Sequence, residues 1–301
     1  MPSWKITIHA PKPVVAAALD AQDQSVDWDY NVVVSGHEIA EDRPEDWVFE
    51  AWYSGKPSKA EKADIAALFS GKTPAMALEK LPDQDWLTLS QQGVDPIRAG
   101  PFYVRTPDHP APTEELLDLV IPASQAFGTG QHETTAGCLA MLANIRVSGV
   151  NARNIADIGT GTGLLAFGAL ALWPRALCTA SDIDPVCEGV VLENAVTNTV
   201  PMGGDAGELL MLTSDGMDDP QLQARGPFDL LIANILAAPL IELAAHFAMS
   251  VQPGGHLVLA GLLETQEAAV RSAYRSAGFR MAGRIVNGDW SILWLRRRRI
   301  V

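Results

Sequence analysis

The sequence predicts an α/β protein, a parallel sheet covered by helices on both faces, preceded by a smaller α+β unit. Three observations predict it. From about residue 113, runs rich in strand formers alternate with helical runs, the pattern of chained βαβ units. A glycine-rich stretch, Asp157-Ile-Gly159-Thr-Gly161-Thr-Gly163, falls between the first of those strands and the helix after it, where open sheets bind their ligands. Near the end, Phe279 to Val286 and Trp290 to Arg296 are joined through Asn287-Gly288, a hairpin signal that makes the last strand antiparallel.

Taken in order, Trp4 to His9 alternates like a strand, Lys12 to Gln22 is helical, and Tyr30 to Ser35 is rich in β-branched residues. Trp47 to Tyr53 is a further strand, Ser58 to Phe69 opens with a helix-start residue, and Asp85 to Leu89 alternates again. The order βαββαβ is the ferredoxin-like pattern. Between Gln92 and Pro112 the density of Pro and Gly breaks regular structure. The expected division is therefore a ferredoxin-like domain at 1–92, a linker at 93–112 and a larger domain at 113–301. In the larger domain, Asn154 to Ile158, Leu177 to Asp182, Phe228 to Ile235 and His256 to Leu263 read as strands. Gly163 to Leu172, Pro185 to Thr197, Pro239 to Ser250 and Glu264 to Ala277 read as helices; with a third strand before Asp215 and the two strands of the terminal hairpin, this gives a Rossmann-like sheet of seven strands.

Composition narrows the function classes. The 301 residues are 48% hydrophobic and 19% charged, enough for one large domain or two ordinary ones and unlike a disordered chain. Thirty-six acidic residues against 22 Lys and Arg leave a net charge of -14. That disfavours a sequence-blind nucleic-acid binder, which needs clustered positive charge, and no direct nucleic-acid contact is expected. The Arg296 to Arg299 run reads as a charged edge at the chain terminus. Cys138, Cys178 and Cys187 lack the spacing of a zinc site or a disulfide framework, so reduced structural thiols, no metal and a cytoplasmic monomer are expected. No apolar run approaches the ~20 residues that span a bilayer.

The glycine spacing discriminates between cofactors. A dinucleotide fingerprint places its third glycine where this chain has Leu164, one residue past Gly163. Asp182 ends the next strand, 23 residues beyond Gly159, where a carboxylate can accept both hydroxyls of a ribose. The pattern D-x-G-x-G-x-G resembles the first motif of class I S-adenosylmethionine-dependent methyltransferases. Three further segments are sharper. Ala126-Phe-Gly-Thr-Gly-Gln-His-Glu-Thr-Thr135, Ala233-Asn234-Ile235-Leu236, and Gly254-Gly255 followed by Gly261-Leu-Leu-Glu-Thr-Gln266 are similar to segments of the bacterial methyltransferases of ribosomal protein L-eleven, the PrmA family.

The resemblance implies a class I methyltransferase domain behind a substrate-recognition domain, S-adenosyl-L-methionine as cofactor, and ribosomal protein L-eleven, a basic protein, as partner. It implies that lysine side chains, and the N-terminal amine, receive the methyl groups. Carried over by position, Thr135, Gly159, Gly161, Asp182 and Asn234 contact the cofactor, and Asn234 also serves catalysis by offering its carbonyl to the incoming amine. Thr160, Gln131 and Glu133 depart from the family's residues, which bears on substrate specificity more than on cofactor binding. His132 reads as a helix-start residue rather than a general base, Asp157 as an acceptor bracing the turn and Asp184 as a helix-start charge. A methyltransferase of another protein or of a small amine remains open, as does a ribosome-associated cofactor-binding module without catalysis.

Overall fold

The computed structural model describes residues 4–23, 28, 32–39, 43, 45–71, 74–80, 96–122 and 131–299. The chain divides into two compact units, Met1–Trp86 and Leu87–Val301.

In the first unit β1 (Trp4–Pro11), α1 (Lys12–Asp23), β2 (Val33–Glu38), β3 (Asp46–Tyr53), α2 (Lys59–Ala67) and β4 (Met76–Lys80) follow one another. The sheet order is β2-β3-β1-β4 with every neighbouring pair antiparallel, the ferredoxin-like arrangement. Alternation puts Ile6 and Ile8 of β1 with Phe49, Ala51 and Tyr53 of β3 on the buried face, against Val15 and Ala18 of α1 and Ile65 of α2. Ser58 starts α2 through a capping box: its hydroxyl accepts from the Glu61 N–H at 3.2 Å, and Glu61 accepts from the Ser58 N–H at 2.6 Å. Among the described residues the fourth strand is Met76–Lys80; Asp85 to Leu89, read as a strand from sequence, lies outside the described residues. Met-Ala-Leu-Glu-Lys has poor strand propensity; its pairing with β1, Ile6 opposite Leu78, decides the matter.

The first described elements of the second unit are three short strands, β5 (Ile97–Ala99), β6 (Phe102–Arg105) and β7 (Leu117–Val120), in a sheet of their own. Part of the expected linker is thus structured. Phe102, Val104 and Leu119 are buried in the same core as Leu139 and Phe167, and Gly100 makes the left-handed turn between β5 and β6. Prolines and glycines here punctuate strands too short to show alternation. Asn198 then fixes β7, donating to the Val120 carbonyl and accepting from the Val120 N–H, both at 2.7 Å.

Helix α3 (Gln131–Val147) precedes the main sheet. The sheet's elements are β8 (Asn154–Ile158), α4 (Leu164–Leu172), β9 (Leu177–Asp182), α5 (Val186–Thr197), β10 (Leu209–Thr213), α6 (Pro220–Arg225), β11 (Phe228–Asn234), α7 (Ala237–Glu242), α8 (Ala244–Ser250), β12 (Val251–Leu263), α9 (Glu264–Ser276), β13 (Phe279–Asn287) and β14 (Trp290–Arg297). Spatial order is β10-β9-β8-β11-β12-β14-β13. Pairs from β10 to β12 are parallel, and β14 is antiparallel to both its neighbours. The order reverses at β8, so the switch point of the sheet lies between β8 and β11. The expected helix at Pro239 to Ser250 is two short helices meeting at Leu243. Two cores line the sheet's faces, one with Phe167, Leu139 and Val258, the other with Phe228, Phe247 and Tyr274.

Helix α9 is tied to the terminal hairpin by a charged network. Buried Glu267 accepts from Ser291 at 2.5 Å and pairs with Arg284 at 2.6 Å and Arg271 at 3.0 Å. Burial works to raise the pKa of its carboxyl, but the bonds from Ser291, Arg284 and Arg271 outweigh it and hold the group below its ordinary value. A depressed carboxyl contributes stability that is present above the unfolded-state value, ~4.3, and lost as pH falls through the folded one. Glu267→Gln is expected to cost about 1–2 kcal/mol at neutral pH, modest because both arginines keep much of their surface in water. In urea unfolding followed against pH, the gap between wild type and variant should narrow below about pH 4; a constant gap contradicts this.

Candidate active site

The carboxyl ends of β8, β9 and β11 converge on one cleft, lined by Thr135, Gly159, Thr160, Gly161, Thr162, Leu164, Leu165 and Asn234. The turn between β8 and α4 forms its floor. Gly159 has φ +71°, and a β-carbon there would lie 2.3 Å from Cγ2 of Ile235, so only glycine permits both the turn and the approach of β11. The N–H groups of Gly159 and Thr160 donate to the Ser181 carbonyl at 2.8 and 3.0 Å, which pins the turn to β9. From α5, the buried Asn194 donates to the Thr162 carbonyl at 2.9 Å. Both chain segments entering the turn are held, so its backbone is preorganised for a ligand.

Asp182 stands at the end of β9, where one carboxylate oxygen accepts from the Gly161 N–H at 2.8 Å and the other from the Asp184 N–H at 3.1 Å. Those bonds fix the carboxylate in the plane of the turn, with lone pairs left over for hydroxyl donors. Asn234 ends β11, its side-chain amide donating to the Thr134 hydroxyl at 3.4 Å, which leaves its carbonyl oxygen as an acceptor. Thr134 and Thr135 are both buried in the first turn of α3. Gly261 holds the strand end from behind. With φ +83°, its missing β-carbon would be 2.3 Å from the Ile235 carbonyl oxygen and 3.0 Å from the Ile235 nitrogen.

Asp157 lies beneath the turn, accepting from the Thr160 hydroxyl at 2.7 Å and the Ala166 N–H at 3.1 Å through the same oxygen. Its position accords with a turn-bracing acceptor. Burial pushes its carboxyl up to about 7, assisted by the charge of Asp182 and opposed by the two hydrogen bonds. The folded state therefore keeps a proton that the unfolded chain loses near pH 4, and stability from this group falls as pH rises through about 7. Asp157→Asn should remove that dependence. In urea unfolding, wild type should lose stability relative to the variant between pH ~4 and pH ~7 and run parallel to it above that, whereas parallel profiles throughout contradict the assignment.

Of the residues singled out from sequence, Thr135, Gly159, Gly161 and Asn234 line the cleft, and Asp182 touches it through Gly161. Residues 126–130 of the Ala126 to Thr135 segment, and the side chain of His132, lie outside what is described. Glu133 is not among the residues lining the cleft: its carbonyl accepts from Asn287 at 2.9 Å, and its carboxylate lies beside Gly288 at the hairpin tip. Thr134, Asn194 and Gly261 were not assigned roles from sequence, and only a buried asparagine on an apolar helix face, Asn194, offered a local signal. Burial pushes all three cysteine thiols up, Cys187 to about 12 with help from Asp182 and Asp184, which makes them poor nucleophiles. Among the described residues no cluster of His, Cys, Asp and Glu could hold a metal ion, and no helix is long and apolar enough to cross a membrane.

The model of the family described as ribosomal protein L11 methyltransferase (PrmA) matches residues 14–298. A protein of Agrobacterium fabrum named ribosomal protein L11 methyltransferase is 35% identical over 270 residues, 89% of this chain and 90% of its own. One of the same name from Rhizobium meliloti is 33% identical over 302 residues, 99% of this chain and all of its own. A crystal structure described as ribosomal protein L11 methylase from Lactobacillus delbrueckii subsp. bulgaricus superposes with TM-score 0.58 at 25% identity, covering 68% of this chain and all of that one. With a Rossmann-like sheet of seven strands, the last antiparallel, and a family match over nearly its whole length, the chain belongs to the ribosomal protein L11 methyltransferase (PrmA) family of class I methyltransferases.

Proposed function

We propose that this chain is a protein N-methyltransferase that transfers methyl groups from S-adenosyl-L-methionine to lysine side chains, and to the N-terminal amine, of ribosomal protein L11. The observation that carries the reading is the meeting of Thr135, Gly159, Gly161 and Asn234 along one cleft in a chain matched by the family over residues 14–298. The first unit, with the segment after it, serves in this reading to recognise the substrate. The enzyme acts as a cytoplasmic monomer.

The residues fit the cofactor. Gly159 lines the cleft with bare backbone, its turn admitting no β-carbon against Ile235, Asp182 retains acceptor capacity for ribose hydroxyls, and Thr135 lines the cleft for the methionine end. When bound, S-adenosyl-L-methionine supplies a methyl group on a positively charged sulfur that is already a good leaving group. The protein's task is to align a neutral amine with that methyl and to keep water away. Asn234 does the aligning, its carbonyl oxygen accepting an N–H of the amine and directing the nitrogen lone pair into the cleft.

Among the described residues the cleft lining has no titratable side chain, so the amine's proton leaves without a strong general base on the protein. A lysine of pKa ~10.4 requires about 4.6 kcal/mol to lose its proton at pH 7, an α-amine only about 1 kcal/mol. A neighbouring positive charge lowers both costs. Rates should therefore rise with pH from about 6 to about 9.

Incubating purified ribosomal protein L11 with the enzyme and S-adenosyl-L-methionine, followed by peptide mapping, tests the acceptor assignment. The expected products carry methyl groups on lysine Nζ atoms and on the N-terminal nitrogen. Methylation of side chains other than amines would overturn it.

A further inference from the structure

The hairpin that joins β13 to β14 closes at the same end of the sheet as Asn234. Asn234 pairs with Ala260 of β12, and further along β12 Leu263 pairs with Trp290, the first residue of β14. At the tip, the Asn287 side-chain amide donates to the Glu133 carbonyl at 2.9 Å, a contact between residues 154 positions apart. The next residue, Gly288, presents bare backbone to Glu133: a β-carbon there would lie 2.8 Å from Oε1 of that side chain. On the other side of the tip the Asp289 carbonyl accepts from the Glu264 N–H at 2.9 Å.

Each of these bonds lands on a segment that holds Asn234. The Glu133 carbonyl belongs to the peptide unit whose nitrogen is that of Thr134, and the Thr134 hydroxyl accepts from the Asn234 amide. Glu264 follows directly on β12, whose Gly261 backs Ile235. The first turn of a helix has N–H groups without intrahelical partners and frays unless something outside holds it. For α3 the hairpin supplies that hold along one side. Gly137 packs so closely on Ile292 that a β-carbon would lie 2.3 Å from its Cδ1, and Met141 lies beside Gly283. Asn287 extends the contact to the turn that carries Thr134 and Thr135.

We propose that Asn287 is a positioning residue for methyl transfer. By holding the peptide between Glu133 and Thr134 it sets where the Thr134 hydroxyl stands, and through that hydroxyl the orientation of the Asn234 amide. The inference rests on the role given above to the Asn234 carbonyl in aligning the amine. An asparagine amide has donors on one side and an acceptor on the other, and its last torsion is soft. The Thr134 hydroxyl selects one of the two settings, the one that leaves the carbonyl free. At 3.4 Å that bond is long, so a small displacement of the first turn of α3 breaks it and lets the amide rotate. Asn287 is not among the residues lining the cleft. An Asn before Gly also serves the turn of a hairpin, and the two roles differ in how the residue's loss combines with the loss of Asn234.

Single-turnover methylation of ribosomal protein L11 at saturating S-adenosyl-L-methionine, for wild type, Asn287→Ala, Asn234→Ala and the double variant, tests the proposal. Asn287→Ala is expected to slow transfer by about tenfold, the scale of a small misplacement transmitted from outside the site. In the Asn234→Ala background, where the carbonyl is already absent, the same substitution should cost less than about twofold, because changes along one chain of contacts do not add. Asn287→Asp, equal in size but without the amide donor, should be at least as slow as Asn287→Ala and carries the same test should the alanine variant fail to fold. An equal factor in both backgrounds would overturn the proposal and leave Asn287 as a turn residue that acts through the stability of the fold. A rate for Asn287→Ala equal to that of wild type would overturn it too. An Asn234→Ala rate equal to wild type would remove the role of Asn234 and the proposal together, which sets that failure apart from the other two.

Discussion

Asn234→Ala is expected to lower the rate of methyl transfer by about 10²–10³-fold while changing the dissociation constant of S-adenosyl-L-methionine by less than about tenfold. The argument rests on where Asn234 stands. It ends β11 at the switch point of the sheet, and its amide is engaged by the Thr134 hydroxyl, so only the carbonyl oxygen faces an incoming donor. An interaction made by the attacking amine grows as the nitrogen commits its lone pair, and its loss therefore appears in the rate more than in binding. The ligand's other contacts, along the glycine turn and Asp182, are untouched by the substitution. Single-turnover rates at saturating cofactor, with affinity measured separately by calorimetry, separate the two effects. Equal rates for variant and wild type would remove Asn234 from the catalytic step.

Gly261→Ala is expected to destabilise the second unit by about 2–5 kcal/mol and to impair methyl transfer as well. The left-handed backbone at φ +83° costs a non-glycine residue about 1–2 kcal/mol. The added carbon meets backbone rather than a flexible side chain, within 2.3 to 3.0 Å of the Ile235 carbonyl and nitrogen, and overpacking of that kind costs about 1–3 kcal/mol more. Ile235 cannot retreat toward β8, because its Cγ2 already fills the space over Gly159. The strand end that carries Asn234 must shift instead. Urea unfolding and the methylation rate together check this. A variant as stable and as active as wild type would mean that β11 yields freely at its end.

The sheet was legible from sequence because its strands are runs of β-branched and aliphatic residues set apart by helices of ordinary length, and Asn287-Gly288 marks the antiparallel return at β14. The elements missed have physical reasons. Met76–Lys80 carries Ala, Glu and Lys, and becomes a strand through pairing with β1. Ile97–Ala99 and Phe102–Arg105 are too short to display a period, and their burial is set by α3 and α4 in the core that holds Leu139 and Phe167. In the cleft, glycine spacing and Asp182 could be read locally, because both belong to one βαβ unit. Thr134 and Gly261 meet Asn234 and Ile235 across separations that no local pattern encodes. The run Arg296 to Arg299 is visible in the sequence, but that Arg280 stands across from Arg296 needed the register of β13 on β14.

Intact-mass spectrometry of total ribosomal proteins lacking methylation, after incubation with this enzyme and S-adenosyl-L-methionine and against a no-enzyme control, tests the central claim most directly. The account predicts that one protein, ribosomal protein L11, gains mass in successive methyl increments while the others stay unchanged. No shift in L11, with cofactor binding demonstrated in the same preparation, would contradict it.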